Sequence, residues 1–119
     1  MYRDDEVPFE EIARAMHPGE FDLRVLEQDQ LWVDERARVH RLEEMGVAYQ
    51  INVLLFCREH APHWHGTHLL NELDGRFDEI FDLLPTSKAD RDKAALAWIE
   101  HRALYRRLLT LARIGAATT

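Results

Sequence analysis

Five side chains with metal-binding atoms, Cys57, His60, His63, His65 and His68, fall within 12 residues. Thiolate sulfur and imidazole nitrogen are donors that suit zinc. If a helix runs through His60, Cys57 and His60 share one of its faces at i, i+3. A turn at Pro62 would then fold His63, His65 and His68 back toward them. The spacing, Cys-x2-His-x2-His-x-His-x2-His, differs from the zinc-finger and His-Glu-x-x-His metalloprotease patterns. Zinc held here is therefore expected to be structural. A hydrolytic site would need a carboxylate base, for which Glu59 and Glu72 are the nearby candidates. The second reading uses no metal. Cys57 is then a small hydrophobe in an apolar run, and the histidines are solvated or bonded to carbonyls at a helix end.

Other chemistry has little to stand on. The chain has no Gly-rich phosphate loop, no Gly-x-Ser-x-Gly elbow and no kinase-like set. A thiol embedded in apolar residues has a raised pKa and low reactivity, which argues against Cys57 as a nucleophile. The expectation is a protein without enzymatic activity. His101 lies between Trp98 and Tyr105 at helical spacing. It is either a ligand-binding, pH-sensitive group or a core histidine with one hydrogen-bond partner. Arg102, Arg106 and Arg113 share one flank of a helix and can grip phosphate, nucleic acid or an acidic protein. Alternatively they form a solvated face.

Charge separates these readings further. Of 119 residues, 22 are acidic and 15 basic, giving −7. A general nucleic-acid coat needs a basic field, so that class is disfavoured. The acids are concentrated at the front. Residues 1–30 hold 9 acids against 3 bases, whereas residues 86–119 hold 3 acids against 7 bases. An acidic front containing Asp4, Asp5, Glu6, Glu10 and Glu11 is a candidate partner surface. It can equally pack near the basic tail. The longest apolar run, Val53 to Cys57, is far too short to span a membrane, which takes about 20 residues. A charged start and a lone cysteine suit a reducing cytoplasm.

These residues are positioned by elements whose periods are legible. The length fits one domain spanning residues 1–119. Phe9, Ile12, Ala13 and Met16 make a helical stripe over residues 8–16. Phe21, Leu23 and Val25 alternate like a strand. Two further short strands, Leu31-Trp32-Val33 and Val39-His40-Arg41-Leu42, close a hairpin around residues 34–38. Residues 47–60 read as a buried helix ended by Pro62. Residues 67–84 read as the next, capped by Thr67. Residues 87–114 are expected to form one long helix with a core seam of Ala94, Trp98, His101, Tyr105, Leu108 and Ala112, and Gly115 after its end. The fold class is α+β, mostly α: three or four helices with a small antiparallel hairpin or three-stranded meander. An apolar seam with Trp98 and Tyr105 also leaves a homodimer open.

The stretch from Trp32 to Arg58 resembles a motif of small, largely uncharacterised proteins from phages and prophages. Its residues here are Trp32, Met45 thirteen positions on, Tyr49 four after that, Asn52 three further, and then an apolar helix with the basic end Arg58. The family usually turns its hairpin with Asp-Gly where this chain has Arg36-Ala37. It often carries an apolar residue where this chain has Gln50. It often has a Pro before its last helix, absent around Arg102-Ala103-Leu104-Tyr105. The resemblance covers about a quarter of the chain. It implies a phage-type accessory protein and no known activity. With the acidic bias and the small single domain, the expectation is a protein that binds a host protein, for example inhibiting a defence or nucleic-acid enzyme. Read physically, the motif is packing: Trp32 and Leu42 share a hairpin face and Asn52 bonds hairpin backbone. A functional reading makes Trp32, Tyr49 and Asn52 a recognition pocket.

Overall fold

The computed structural model describes Met16, residues 21–73, Pro85 and residues 87–118. The expected helix over 8–16 lies outside these residues except for Met16, which is buried in the core. The later half of the expected 67–84 helix lies outside them too.

The described chain opens with a 3₁₀ helix, Leu23–Glu27. This replaces the strand expected from the alternation of Phe21, Leu23 and Val25. The Asp22 carboxylate accepts from the Arg24 backbone N–H at 2.9 Å and caps the turn. The 3₁₀ geometry then buries two consecutive residues, Val25 and Leu26, which a half-buried strand cannot do. Gln28 fixes the exit. Its amide nitrogen donates to the carbonyls of Val25 and Leu31, and its oxygen accepts from the N–H groups of Gln30 and Leu31.

Strands β1 (Leu31–Val33) and β2 (Val39–Arg41) form an antiparallel hairpin with Trp32 opposite His40. No third strand joins it among the described residues. The loop is a three-residue connection. The Ala37 N–H donates to the Asp34 carbonyl and the Asp34 N–H to the Arg38 carbonyl, both at 2.9 Å. Ala37 sits at φ 62°, the left-handed position of a type I turn followed by a bulge. All of β1 is buried. A second short 3₁₀ helix, Leu42–Glu44, leads from β2 into the helices.

Helix α1 runs without a break from Val47 to Glu72. The expected turn at Pro62 does not form. Proline removes only the bond its own nitrogen would give to the Arg58 carbonyl. The buried stripe Gln50, Val53, Leu54, Cys57, Ala61 and Trp64 continues past it, so packing on both sides outweighs the local cost of about 3 kcal/mol. Thr67, expected as a cap, is mid-helix and its hydroxyl donates back to the His63 carbonyl at 3.1 Å.

Helices α2 (Lys88–Glu100) and α3 (Ala103–Thr118) both pack against α1. They replace the single long helix expected over 87–114. At the junction, side chains take over carbonyls that the next helical turn would have used. His101 Nδ1 lies 2.7 Å from the Ala97 carbonyl, and Arg102 Nε donates to the Trp98 carbonyl at 3.2 Å. The interruption shifts the helical phase. The buried positions are therefore Ala95 and Ile99 in α2, then Leu104, Tyr105, Leu108 and Ala112 in α3. Ala94 and Trp98 move to the flank, and His101 is exposed rather than in the seam. Gly115 lies inside α3, not beyond it. A Cβ there would run into Cγ2 of Val47, so glycine permits the close approach of the α3 end to the α1 start.

Candidate functional site

One helix carries all five members of the Cys/His cluster, and an unbroken helix spreads them. With about 100° between residues, His68 lies about 20° from Cys57 and His65 about 80°. His60 and His63 lie about 60° and 120° to the other side. The corner needed to converge them depended on a turn at Pro62. Among the described residues, no group of three or more His, Cys, Asp or Glu side chains is placed to hold a metal ion. Cys57 is fully buried, and burial pushes its thiol up to about 12. The zinc corner expected from the spacing is thus not assembled.

The histidines instead join two aromatic groupings on opposite sides of α1. On one side the His65 and His68 rings each lie 5.3 Å from the Trp98 ring. Arg102 stands over the same indole at 5.3 Å and is paired with Glu27 at 3.0 Å. Burial lowers the His65 pKa, and the nearby charges of His68 and Arg102 add to that effect. The Trp98 indole nitrogen is buried without a hydrogen-bond partner among the described residues.

On the other side, His60 packs between Phe56, at 4.2 Å, and Trp64, at 5.4 Å and nearly parallel. Phe21 stacks on Trp64 at 4.4 Å and 9°. Trp32 meets Phe56 edge-on at 5.8 Å. Phe56, His60, His63, Trp64, Thr67 and Phe21 border a hollow of about 330 Å³.

Beside this hollow runs the outer face of α1. Ala48, Ile51, Asn52, Leu55, Phe56, Glu59, Pro62 and His63 are all exposed and recur at the helical period. Only Glu59 among them is an acid or a Lys/Arg. Ile51 is 42% exposed, Leu55 59% and Phe56 39%. A solvent-facing helix stripe is normally polar, so this one is unusual. The sequence showed it as a helix apolar nearly all round, a pattern that usually marks full burial.

The remaining candidates are dispersed. Trp32 is buried, Tyr49 is half-buried with its ring edge-on to His40 at 5.3 Å, and Asn52 is exposed. The hydrogen bond to hairpin backbone expected of Asn52 is made by Gln50, whose amide donates to the Leu42 carbonyl at 3.0 Å. This accounts for a glutamine at an otherwise apolar position. Arg106 and Arg113 are exposed on α3, while Arg102 is held inward by Glu27 and Trp98. Arg102 is thus paired, and Arg106 and Arg113 are the exposed members of the expected basic flank. Asp4, Asp5, Glu6, Glu10 and Glu11 lie outside the described residues. No helix among the described residues is long and apolar enough to cross a membrane.

No protein-family model, curated protein or solved structure matches this chain.

Proposed function

We propose that this chain is a non-enzymatic binding protein that engages another protein through the outer face of α1. The observation that carries this reading is the exposed pair Ile51 and Leu55, one turn apart, continuous with half-exposed Phe56. Large apolar side chains in an otherwise solvated helix stripe are the composition of a binding patch. Phe56 next to them is an aromatic of the kind that anchors interfaces. The resemblance to phage-encoded proteins, the acidic bias and the small single domain support a host protein as partner, for example a defence or nucleic-acid enzyme, and an inhibitory action. The acidic front would then assist by occupying a basic channel on that target.

The test compares the wild type with a double variant, Ile51→Asp and Leu55→Asp, by affinity purification from host lysate. Both sites are solvent-facing, so helical circular dichroism should not change. A partner retained by the wild type and lost by the variant supports the reading. Identical retention by both overturns it. Light scattering of the two forms shows whether the same face instead pairs two copies.

A further inference from the structure

We infer that the hollow beside Phe56 is a binding site for a planar two-ring aromatic group with a ring N–H, that is, an indole. The inference deepens the proposed binding role, since Phe56 belongs to both the hollow and the outer face of α1.

Size comes first. A cavity of roughly 150 Å³ holds a single benzene ring. At about 330 Å³ this one admits a second ring. It lies at the small end of ligand sites, which start near 300 Å³. A flexible aliphatic ligand would lose more rotamer entropy there than a rigid bicycle.

The walls come next. Phe56, Trp64 and Phe21 present aromatic surface, and these rings already pack face-to-face and tilted at 4.4 and 5.7 Å. A further ring system extends that stack in the offset and edge-to-face geometries aromatic groups prefer.

The polar groups decide the class. His60 and His63 are one helical turn apart and both border the hollow. Among the described residues neither imidazole has a hydrogen-bond partner, whereas the Thr67 hydroxyl is already committed to the His63 carbonyl. Among the described residues, no carboxylate, lysine or arginine borders the hollow. These walls therefore offer a cationic ligand no counter-charge, and a multiply charged anion no guanidinium or ammonium. A neutral imidazole offers one ring nitrogen as an acceptor. An indole N–H is a donor with no acceptor of its own. It matches that unused lone pair while its carbon frame fills the aromatic space.

The probe is N-acetyl-tryptophanamide, titrated into the full chain while the imidazole C–H signals are followed by NMR. The expected result is a saturable shift of His60 and His63, with His65 and His68 unmoved because they sit against Trp98 on the other side of α1. N-acetyl-leucinamide should shift neither pair. His60→Leu keeps the packing volume and should weaken the shift at His63 about tenfold, equivalent to about 1.4 kcal/mol. Phe56→Ala, at a half-exposed position, gives a second variant that tests the aromatic wall. No saturable shift up to about 10 mM, weaker than any useful fragment affinity, overturns the inference. So does an equal shift in both variants. Free indole and a tryptophan-containing peptide separate the sources. Tighter binding of the peptide assigns a partner's side chain, and equal binding assigns a small molecule. The titration needs no partner protein. Its failure therefore leaves the Ile51/Leu55 result standing, and failure of the latter leaves the indole site standing.

Discussion

Nε2 of His40 lies 2.8 Å from the carboxylate of Asp34, across the mouth of the hairpin loop. The other Asp34 oxygen accepts the backbone N–H groups of Arg36 and Arg38, each at 2.9 Å. One carboxylate thus ties both ends of the loop to β2. Burial raises its pKa. The hydrogen bonds from His40, Arg38 and Arg36 and the charge of Arg38 outweigh this and hold it at about 2.

Removing that carboxylate is expected to loosen the hairpin. Asp34→Ala should cost about 1–2 kcal/mol at neutral pH, from lost hydrogen bonds to two backbone donors and a side chain. Because the folded pKa is depressed, this contribution is present above about 4 and is lost as pH falls toward about 2. Urea titrations of wild type and variant should differ at pH 7 and converge in acid. A gap that persists at pH 2 contradicts the assignment.

Ala37 pays a steric cost in its left-handed conformation of about 1–2 kcal/mol. Glycine relieves it but loses more backbone entropy on folding, about 0.4–1 kcal/mol. Ala37→Gly should therefore raise stability by about 0.5 kcal/mol. Ala37→Val should lower it, because a β-branched residue tolerates this region worst. Denaturation midpoints of the three proteins should rank Gly, Ala, Val.

Gly115 is the reverse case, a glycine needed for space. In a helix interior alanine is ordinarily better by about 1 kcal/mol. Here its Cβ would collide with Val47, so Gly115→Ala should be destabilising instead. Adding Val47→Ala opens the room, and Gly115→Ala should then become stabilising. A double-mutant cycle showing no coupling between the two sites would contradict this contact.

Cys57 should resist iodoacetamide at pH 8 in the native protein and react once urea unfolds it, since the thiol is buried and held up to about 12. Its folded pKa lies above the ordinary value of 9.0. The native thiol therefore keeps its proton while the unfolded one ionises. Stability is unaffected below about pH 9 and falls as pH rises from there toward about 12. Native-state alkylation at a rate like that of a free thiol would show that the helix packing around Cys57 is not as described.

Local signals in the sequence determined what depends on near neighbours. The hairpin strands were visible because short β-branched and aromatic runs flank a polar loop. The sequence offered Thr86 or Ser87 as the cap of the helix that follows, and it is the Ser87 hydroxyl that accepts from the Asp90 N–H at 3.1 Å. Tyr105, Leu108 and Ala112 fell on the buried face because a 3.6-residue period needs no partner to be read. The α+β, mostly helical class followed from those elements together.

Tertiary structure decided what depends on packing against distant segments. Pro62 looks like a terminator in sequence, yet the stripe through Ala61 and Trp64 carries the helix across it. The break at His101 and Arg102 has neither glycine nor proline to announce it. It rests on side chains that bond the Ala97 and Trp98 carbonyls and on Arg102 reaching Glu27, 75 positions away in sequence. These two reversals dissolved the cysteine–histidine corner and displaced His101 from the core. They also divided the four histidines of that cluster between the two sides of α1. Spacing gives an angle only along an unbroken helix, and whether the helix is unbroken is settled by burial energy that sequence spacing does not contain.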